Sequence, residues 1–389
     1  MVRRNGGFIG TDGLDAPDPP TGVSASGVGT SLSVSFTAPT DTGTSAITGF
    51  RAQASGVGTS GTSSPLTITG LTTGTSYNVS VWAINAYGYS APSDAVSASP
   101  AAARGVFAGG YASGPSNVMD YIQIATDGNA TDFGDLTHSY GFFPAGTSSS
   151  TRGIFSGGKD GGATYSNVIQ YITIATTGNA TDFGDLSSGS AQGHAHASTT
   201  RGVITLGNTG SSVNTIEYIT TASTGNATDF GNLSAAKDYG ASCASPTRGV
   251  IVLGEATNTI EYITIASTGN TTDFGDLTQN TDNGAGGVSS ETRGVFFLNP
   301  DTSTQIQYVT IASTGNATNF GDISIASASG MTGAVSSSTK GVSQVGASDA
   351  NGVLEKITIA SAGDSADFGD LSVARYGVGG CSNDHGGLQ

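Results

Sequence analysis

Three observations predict an all-β fold. Apolar residues nowhere recur at helical spacing for three turns. Val, Ile, Tyr and Phe fall instead in short runs bounded by Gly, Asn, Asp and Ser, the pattern of strands joined by turns. One phrase, TIEYITIASTGNTTDFGDL at Thr259, returns in close variants at Val168, Thr215 and Ile306, and more loosely at Val118 and Leu354.

Composition narrows the function classes. Of 389 residues, 60 are Gly and 11% are charged, against an average of about 25% charged. The net charge of −16 makes nucleic acid and anionic membrane surfaces unfavourable partners. No apolar stretch reaches the roughly 20 residues a spanning helix needs. The opening MVRRNGGFIGTDGLDAPDPP lacks the apolar core of a secretory signal. A protein made in a host cytoplasm and released by lysis fits these features. Two cysteines supply no disulfide framework.

Residues 1–15 read as an arm. Residues 16–101 read as a first domain. Alternation is plain in Leu32-Val34-Phe36 and in Tyr77-Val79-Val81-Ala83, and turn clusters separate about seven such runs, as in a β-sandwich. The Pro-Pro-Thr-Gly-Val opening, the Leu71…Gly74…Tyr77 corner and Asn85-Ala-Tyr-Gly-Tyr-Ser-Ala-Pro-Ser resemble a fibronectin type III domain over residues 16–99. Phe36 stands where that family usually has Trp, and Trp82 lies on a later strand, so a different core packing is expected. The resemblance implies a spacer or an adhesive unit, and a spacer is the expected role because nothing in these residues singles out a ligand.

From residue 102 to 389 the repeat dominates. Arg-Gly or Lys-Gly pairs begin at Arg104, Arg152, Arg201, Arg248, Arg293 and Lys340, at steps of 45 to 49 residues. A period of this length with four strand-like runs per unit predicts a β-propeller. In the fourth unit the runs are YGASCAS, RGVIVLG, TIEYITIAS and TDFGDL. The first is made of small residues, suited to the crowded axis. The second and third read as near-continuous apolar runs, covered on both faces. The fourth sets Asp on either side of one Phe, suited to an outer edge where charge discourages pairing. Six second strands are present, but no inner strand precedes Arg104. The leftover tail ARYGVGGCSND spells one, so the C-terminus is expected to complete the first of six four-stranded blades.

The double glycines of GVFAGG and GIFSGG resemble kelch propellers, although later units depart from that pattern. Chains joining a fibronectin-like domain to such Asp-Phe-Gly repeats also resemble virion appendage proteins of marine tailed bacteriophages. The start RRNGGFIG is similar to their docking arms. This resemblance implies virion docking through Arg3, Arg4, Phe8 and Ile9, multiple copies per particle, contacts with other virion proteins and localisation on the virion.

Turns between first and second strands, and between third and fourth, are nearly uniform. Those between second and third strands, and between blades, differ from unit to unit. The varied set occupies one face of the ring and is the expected recognition surface. There Tyr140, Tyr239 and Tyr376 open three inner strands, beside His138, Lys237, Asp238 and Arg375. Aromatic faces with charged neighbours suit a host-surface glycan. The alternative is that the tyrosines plug the mouth of the ring.

Other constellations are expected to be structural. His194 and His196 lack companions at metal-ligand spacing and read as channel lining. Cys243 and Cys381 fall on opposed blades and are expected to stay free thiols. Asn129, Asn179, Asn226, Asn270 and Asn316 match glycan acceptors but sit where turns want Gly-Asn. The six basic residues opening the second strands are expected to pair with acidic groups. No catalytic set, metal site or cofactor is predicted. The reading is a non-enzymatic virion appendage that recognises glycans. A connector binding only virion proteins and a polysaccharide depolymerase are its rivals.

Overall fold

The computed structural model describes residues 15–27, 29–139, 144–160, 164–281, 285–298, 304–324, 333–345 and 352–388. The chain divides into two compact units, one ending at Ala102 and the other starting at Ala103.

In the first unit, Thr21–Ser26, Leu32–Thr37 and Leu66–Ile68 form one antiparallel sheet. Val57–Gly61, Ile47–Ala54, Tyr77–Asn85 and Gly88–Tyr89 form the other, with Val96–Ala98 also paired to Tyr77–Asn85. Their inward residues, including Leu32, Val34, Phe50, Ala52, Val79 and Val81, make one core. Phe36 packs on Phe50 with ring centroids 4.8 Å apart. The Tyr77 hydroxyl accepts the Thr72 amide at 2.9 Å, fixing the corner. Trp82 takes no part in this core. It lies between the fully buried Val81 and Ala83 on its strand, so it points to the opposite face of the sheet.

The second unit holds six four-stranded antiparallel sheets. Their inner strands are Gly379–Ser382, Ala145–Ser148, Ala195–Ala197, Ala241–Ala244, Ala285–Ser289 and Ala334–Ser336, for the first to sixth blades. Each touches the next, and the last touches the first, so the circuit closes as a six-bladed β-propeller. The first blade takes its inner strand from the C-terminus: Gly379 pairs with Ala108, Gly380 with Phe107, Cys381 with Val106 and Ser382 with Gly105.

Arg375 secures that strand. Placed on the ligand face by sequence reasoning, it is instead fully buried. Its guanidinium donates to Asp120 Oδ2 at 2.7 Å and to the carbonyls of Gly109, Val373 and Val118. All of its bonding is internal, because a buried guanidinium must be satisfied locally.

Contacts between blades explain why the phrase repeats. The glycine after each opening basic residue lies under an inner-strand side chain of the preceding blade. Val335, Cys381, Thr147, His196, Cys243 and Val288 cover Gly105, Gly153, Gly202, Gly249, Gly294 and Gly341 in turn, and a Cβ there would lie 3.1 Å or less from them. Among the described residues the opening arginines do not pair with acids. Arg104, Arg152, Arg201, Arg248 and Arg293 stack over Tyr121, Tyr171, Tyr218, Tyr262 and Tyr308, 4.3–4.4 Å from the ring centroids. Each also donates to a carbonyl of the following blade. The sixth blade has Lys340 and Lys356 at these two positions, and both ammonium groups meet Asp127 of the first blade. That one pair of sites keeps the expected acidic partner.

The outer strands are not bare edges guarded by charge alone. In all six blades the turn of the next blade donates backbone bonds to the outer strand, as Gly178 does to Phe133 and Ala180 to Asp135. The Asn179 carboxamide oxygen accepts the Asp135 amide at 3.0 Å, and Asn129, Asn226, Asn270, Asn316 and Asp364 repeat the bond. These asparagines therefore clamp blades together. The third strands also depart from a continuous apolar run. Asp120, Gln170, Glu217, Glu261, Gln307 and Glu355 are 2% exposed or less. Each accepts a backbone amide from the Ser or Thr two residues beyond the Phe-Gly-Asp or Phe-Gly-Asn of the preceding outer strand, at 2.7–3.3 Å.

Arg375→Ala would leave the Asp120 carboxylate buried and unpaired, at an expected cost of about 3–5 kcal/mol in urea unfolding. Adding Asp120→Gln, the amide used by the second and fifth blades, is expected to recover more than half of that loss. A cost for the single variant below about 1 kcal/mol, the value of an exposed pair, would count against the closure role.

Candidate functional site

Four loops of the neighbouring third and fourth blades converge on the varied face. Gln192 comes from the loop before the third blade's inner strand, and Asn208 and Ser212 from the loop between that blade's second and third strands. Lys237, Asp238 and Tyr239 lie between the third and fourth blades, and Glu255 lies in the fourth.

The cluster is built on strained backbone. Gln192, Tyr239, Glu255 and Ala256 have φ of 61°, 58°, 52° and 59°, and Ser55 in the other unit is the remaining such non-glycine among the described residues. Left-handed conformations of this kind are held only where the surroundings over-determine them. Here the Tyr239 amide donates to the Gln192 carbonyl at 3.1 Å, and the Gln192 amide group donates to the Tyr239 hydroxyl.

Asp238 is 2% exposed. Its Oδ2 accepts Asn208 Nδ2 at 2.7 Å and Ser212 Oγ at 3.4 Å, while Oδ1 has no hydrogen-bond donor among the described residues. Ser212 also donates to Glu255 Oε1 at 2.7 Å, which draws the two carboxyls together. Burial raises the Asp238 pKa from 3.8 to about 6. The Asn208 amide pulls it down, and the neighbouring Glu255 carboxyl pushes it up again. Lys237 Nζ lies 3.7 Å from Glu255 Oε2 and donates to the Glu255 carbonyl. Burial raises the Tyr239 phenol, with the Asp238 charge adding to the effect. The arrangement offers an aromatic face, an ammonium group and two carboxyls on rigid supports. Among the described residues no group of three or more His, Cys, Asp or Glu is arranged to hold a metal ion.

The other predicted residues do not join this cluster. Tyr376 belongs to the first blade, opposite the fourth. It exchanges backbone bonds with Tyr111, and their rings lie 5.7 Å apart. His138 is exposed beside Thr137, 2.8 Å from its hydroxyl. Tyr140 and the arm residues Arg3, Arg4, Phe8 and Ile9 lie outside the described residues. Sequence reasoning missed Gln192, Asn208, Ser212 and Glu255, all ordinary polar loop residues whose only signal was membership of the varied loops. It also missed Tyr111, which the aromatic in GGYASGPSN marked.

His194 and His196 both lie against the fourth blade, on Gly240 and Gly249, and His196 also borders the channel. Neither ring has a hydrogen-bond partner among the described residues. Burial lowers their pKa values to about 4 and about 3, so both are neutral. The channel cavity that His196 adjoins is only about 50 Å³ and is lined by Gly, Ala, Ser and Val as well as the buried free thiols of Cys243 and Cys381, whereas His194, expected to line it, does not.

Comparison with known proteins assigns one part of the chain. Residues 18–99 match the fibronectin type III domain family. No curated protein is matched by sequence. Among solved structures, the chain is similar to a structural genomics protein of unknown function from Bacteroides thetaiotaomicron (12% identity, 89% of this chain and 86% of that one, TM-score 0.44). It is also similar to YjhT (9% identity, 64% and 94%, TM-score 0.47). A third is the hydrazine synthase of Kuenenia stuttgartiensis (9% identity, 72% and 73%, TM-score 0.40).

Because Asp238 holds its proton more tightly folded than unfolded, stability falls as pH rises from about 4 to above 6, and the whole cost is present at neutral pH. Asp238→Asn removes that charge and is expected to raise the melting temperature at neutral pH, with no gain near the unfolded carboxylate pKa. An equal gain at both pH values would contradict the assignment.

Proposed function

We propose that the chain is a non-enzymatic structural appendage of a tailed phage particle, carrying a kelch-like ring whose varied face recognises a host-surface glycan. The observation that carries the reading is the contrast between the two faces. On one, turns are uniform because their Gly and Ala amides and their Asn carboxamide bond to the outer strand of the preceding blade. On the other, loops vary, and the strained residues Gln192, Tyr239, Glu255 and Ala256 gather there with Lys237 and Asp238. Rigid, variable, polar-aromatic surfaces of this kind suit recognition. The kelch-like reading draws support from Gly109-Gly110 and Gly157-Gly158, all at positive φ where the second strands of the first two blades end.

On this reading, Arg3, Arg4, Phe8 and Ile9 dock the chain on other virion proteins, the first domain spaces, and the ring is displayed on the virion without inserting into a membrane. The resemblance to marine phage appendage chains supports it, as does the acidic composition, which disfavours nucleic acid.

A glycan array probed with the full chain is expected to return a restricted set of host-type glycans, with binding lost in Tyr239→Ala and Lys237→Ala. Binding unchanged in both variants would remove the site. Absence of any glycan, together with capture by purified virion proteins alone, would favour a connector instead.

A further inference from the structure

A cleft on the fibronectin type III domain brings aromatic, amide and cationic side chains together. Trp82 is the only Trp in the chain, and its two strand neighbours face the core. Arg51 is its direct cross-strand partner on Ile47–Ala54, and Gln53 stands on the same face one pleat along, opposite Ser80. Tyr89, paired through Ile84, is 49% exposed, as is Tyr87 on the same turn. Arg51, Gln53, Trp82 and Tyr89 together line an open cleft of about 210 Å³.

Charge sharpens the picture. Arg51 is the only Lys or Arg between Asp15 and Ser99, in a chain of net charge −16. Acidic residues are available in the same domain at Asp18, Asp41 and Asp94. Arg51 nevertheless has no ion pair or hydrogen bond among the described residues. The fold does not use the guanidinium, because Phe50 and Ala52, the core residues on either side of it, make the packing contacts. An unpaired planar guanidinium beside two aromatic rings and a carboxamide has a definite chemistry. Ring faces stack on the C–H faces of sugars, the amide meets hydroxyls, and the fork matches a carboxylate.

We propose that this cleft binds an acidic saccharide, with the sugar ring on Trp82 and Tyr89 and its carboxylate on Arg51. The aromatic rings alone would serve a neutral sugar equally well, and Arg51 is what selects the anion. The chain's overall negative charge does not prevent this, since exposed charges beyond about 10 Å are largely screened at ordinary salt. The site is independent of the ring and of its proposed glycan face.

The single Trp supplies a direct readout. The full chain is titrated with a uronic acid oligosaccharide and with its neutral hexose counterpart, following Trp fluorescence and heat. The acidic sugar is expected to shift the emission and bind, and the neutral one to bind at least about tenfold more weakly, the loss of one good charge-assisted contact. Arg51→Gln, read by fluorescence and heat, and Trp82→Ala, read by heat alone, are expected to lose acidic-sugar binding with unchanged melting temperature, while Tyr239→Ala keeps it. Trp82→Phe, also read by heat, retains a stacking face and is expected to keep most of it. Equal binding of both sugars, binding that survives Arg51→Gln, or no binding of either sugar would each overturn the proposal. Loss in Tyr239→Ala instead would place the site on the ring.

Discussion

Everything in the ring depends on the pairing of Gly379–Ser382 with Arg104–Ala108. Each blade buries little by itself, and its core is completed by the blade beside it. One core, for example, joins Val250 and Ile260 of the fourth blade to Phe296 and Val309 of the fifth. A ring of such blades is stable only when no blade has a free side, and the first blade lacks an inner strand until Gly379–Ser382 joins it. Closing over such a sequence separation carries a loop-closure cost that grows slowly with length, so a modest number of good contacts suffices. The buried Arg375–Asp120 pair, with carbonyls around the guanidinium, adds polar specificity to that joint. The chain then continues past Ser382, where Asn383 accepts the Arg104 amide at 2.8 Å.

The sixfold phrase is a description of one interface. Its glycine makes room for the neighbour's side chain, its arginine stacks on Tyr and reaches the next blade's carbonyl, and its Asn and turn amides satisfy the previous outer strand. Changes in the phrase are matched by changes nearby. The sixth blade's Lys340 and Lys356 replace an Arg–Tyr stack, and the first blade answers with Asp127 where other turns carry Thr or Ala. Such matching within a single chain argues that the seam between last and first blades is as specific as the others.

The architecture was legible because strand period, turn residues and the missing inner strand are local or countable features. Residue roles were less so, because they depend on a partner distant in sequence. Arg375 read as a surface cation, and only the fold brings Asp120 to it, 255 positions away. Asp120, Glu217, Glu261 and Glu355 vanished into apolar strands because each is held by a Ser of the preceding blade, through a backbone amide that no side-chain pattern announces. The Asn-Ala-Thr turns were explained by local conformation, whereas their carboxamides act between blades. Trp82 read as a displaced core residue, although strict alternation with Val81 and Ala83 already placed it outside. At the candidate site, Lys237, Asp238 and Tyr239 stood out by type, but the loops that hold them became visible only in three dimensions.

Closure is tested most directly by hydrogen exchange on the intact chain, followed at Gly379–Ser382 and Arg104–Ala108. Equal, strong protection of both segments, lost together with that of the other inner strands when the ring unfolds, is the predicted result. Tail amides that exchange at unprotected rates while the remaining blades stay protected would contradict it, because the ring would then stand without its final strand.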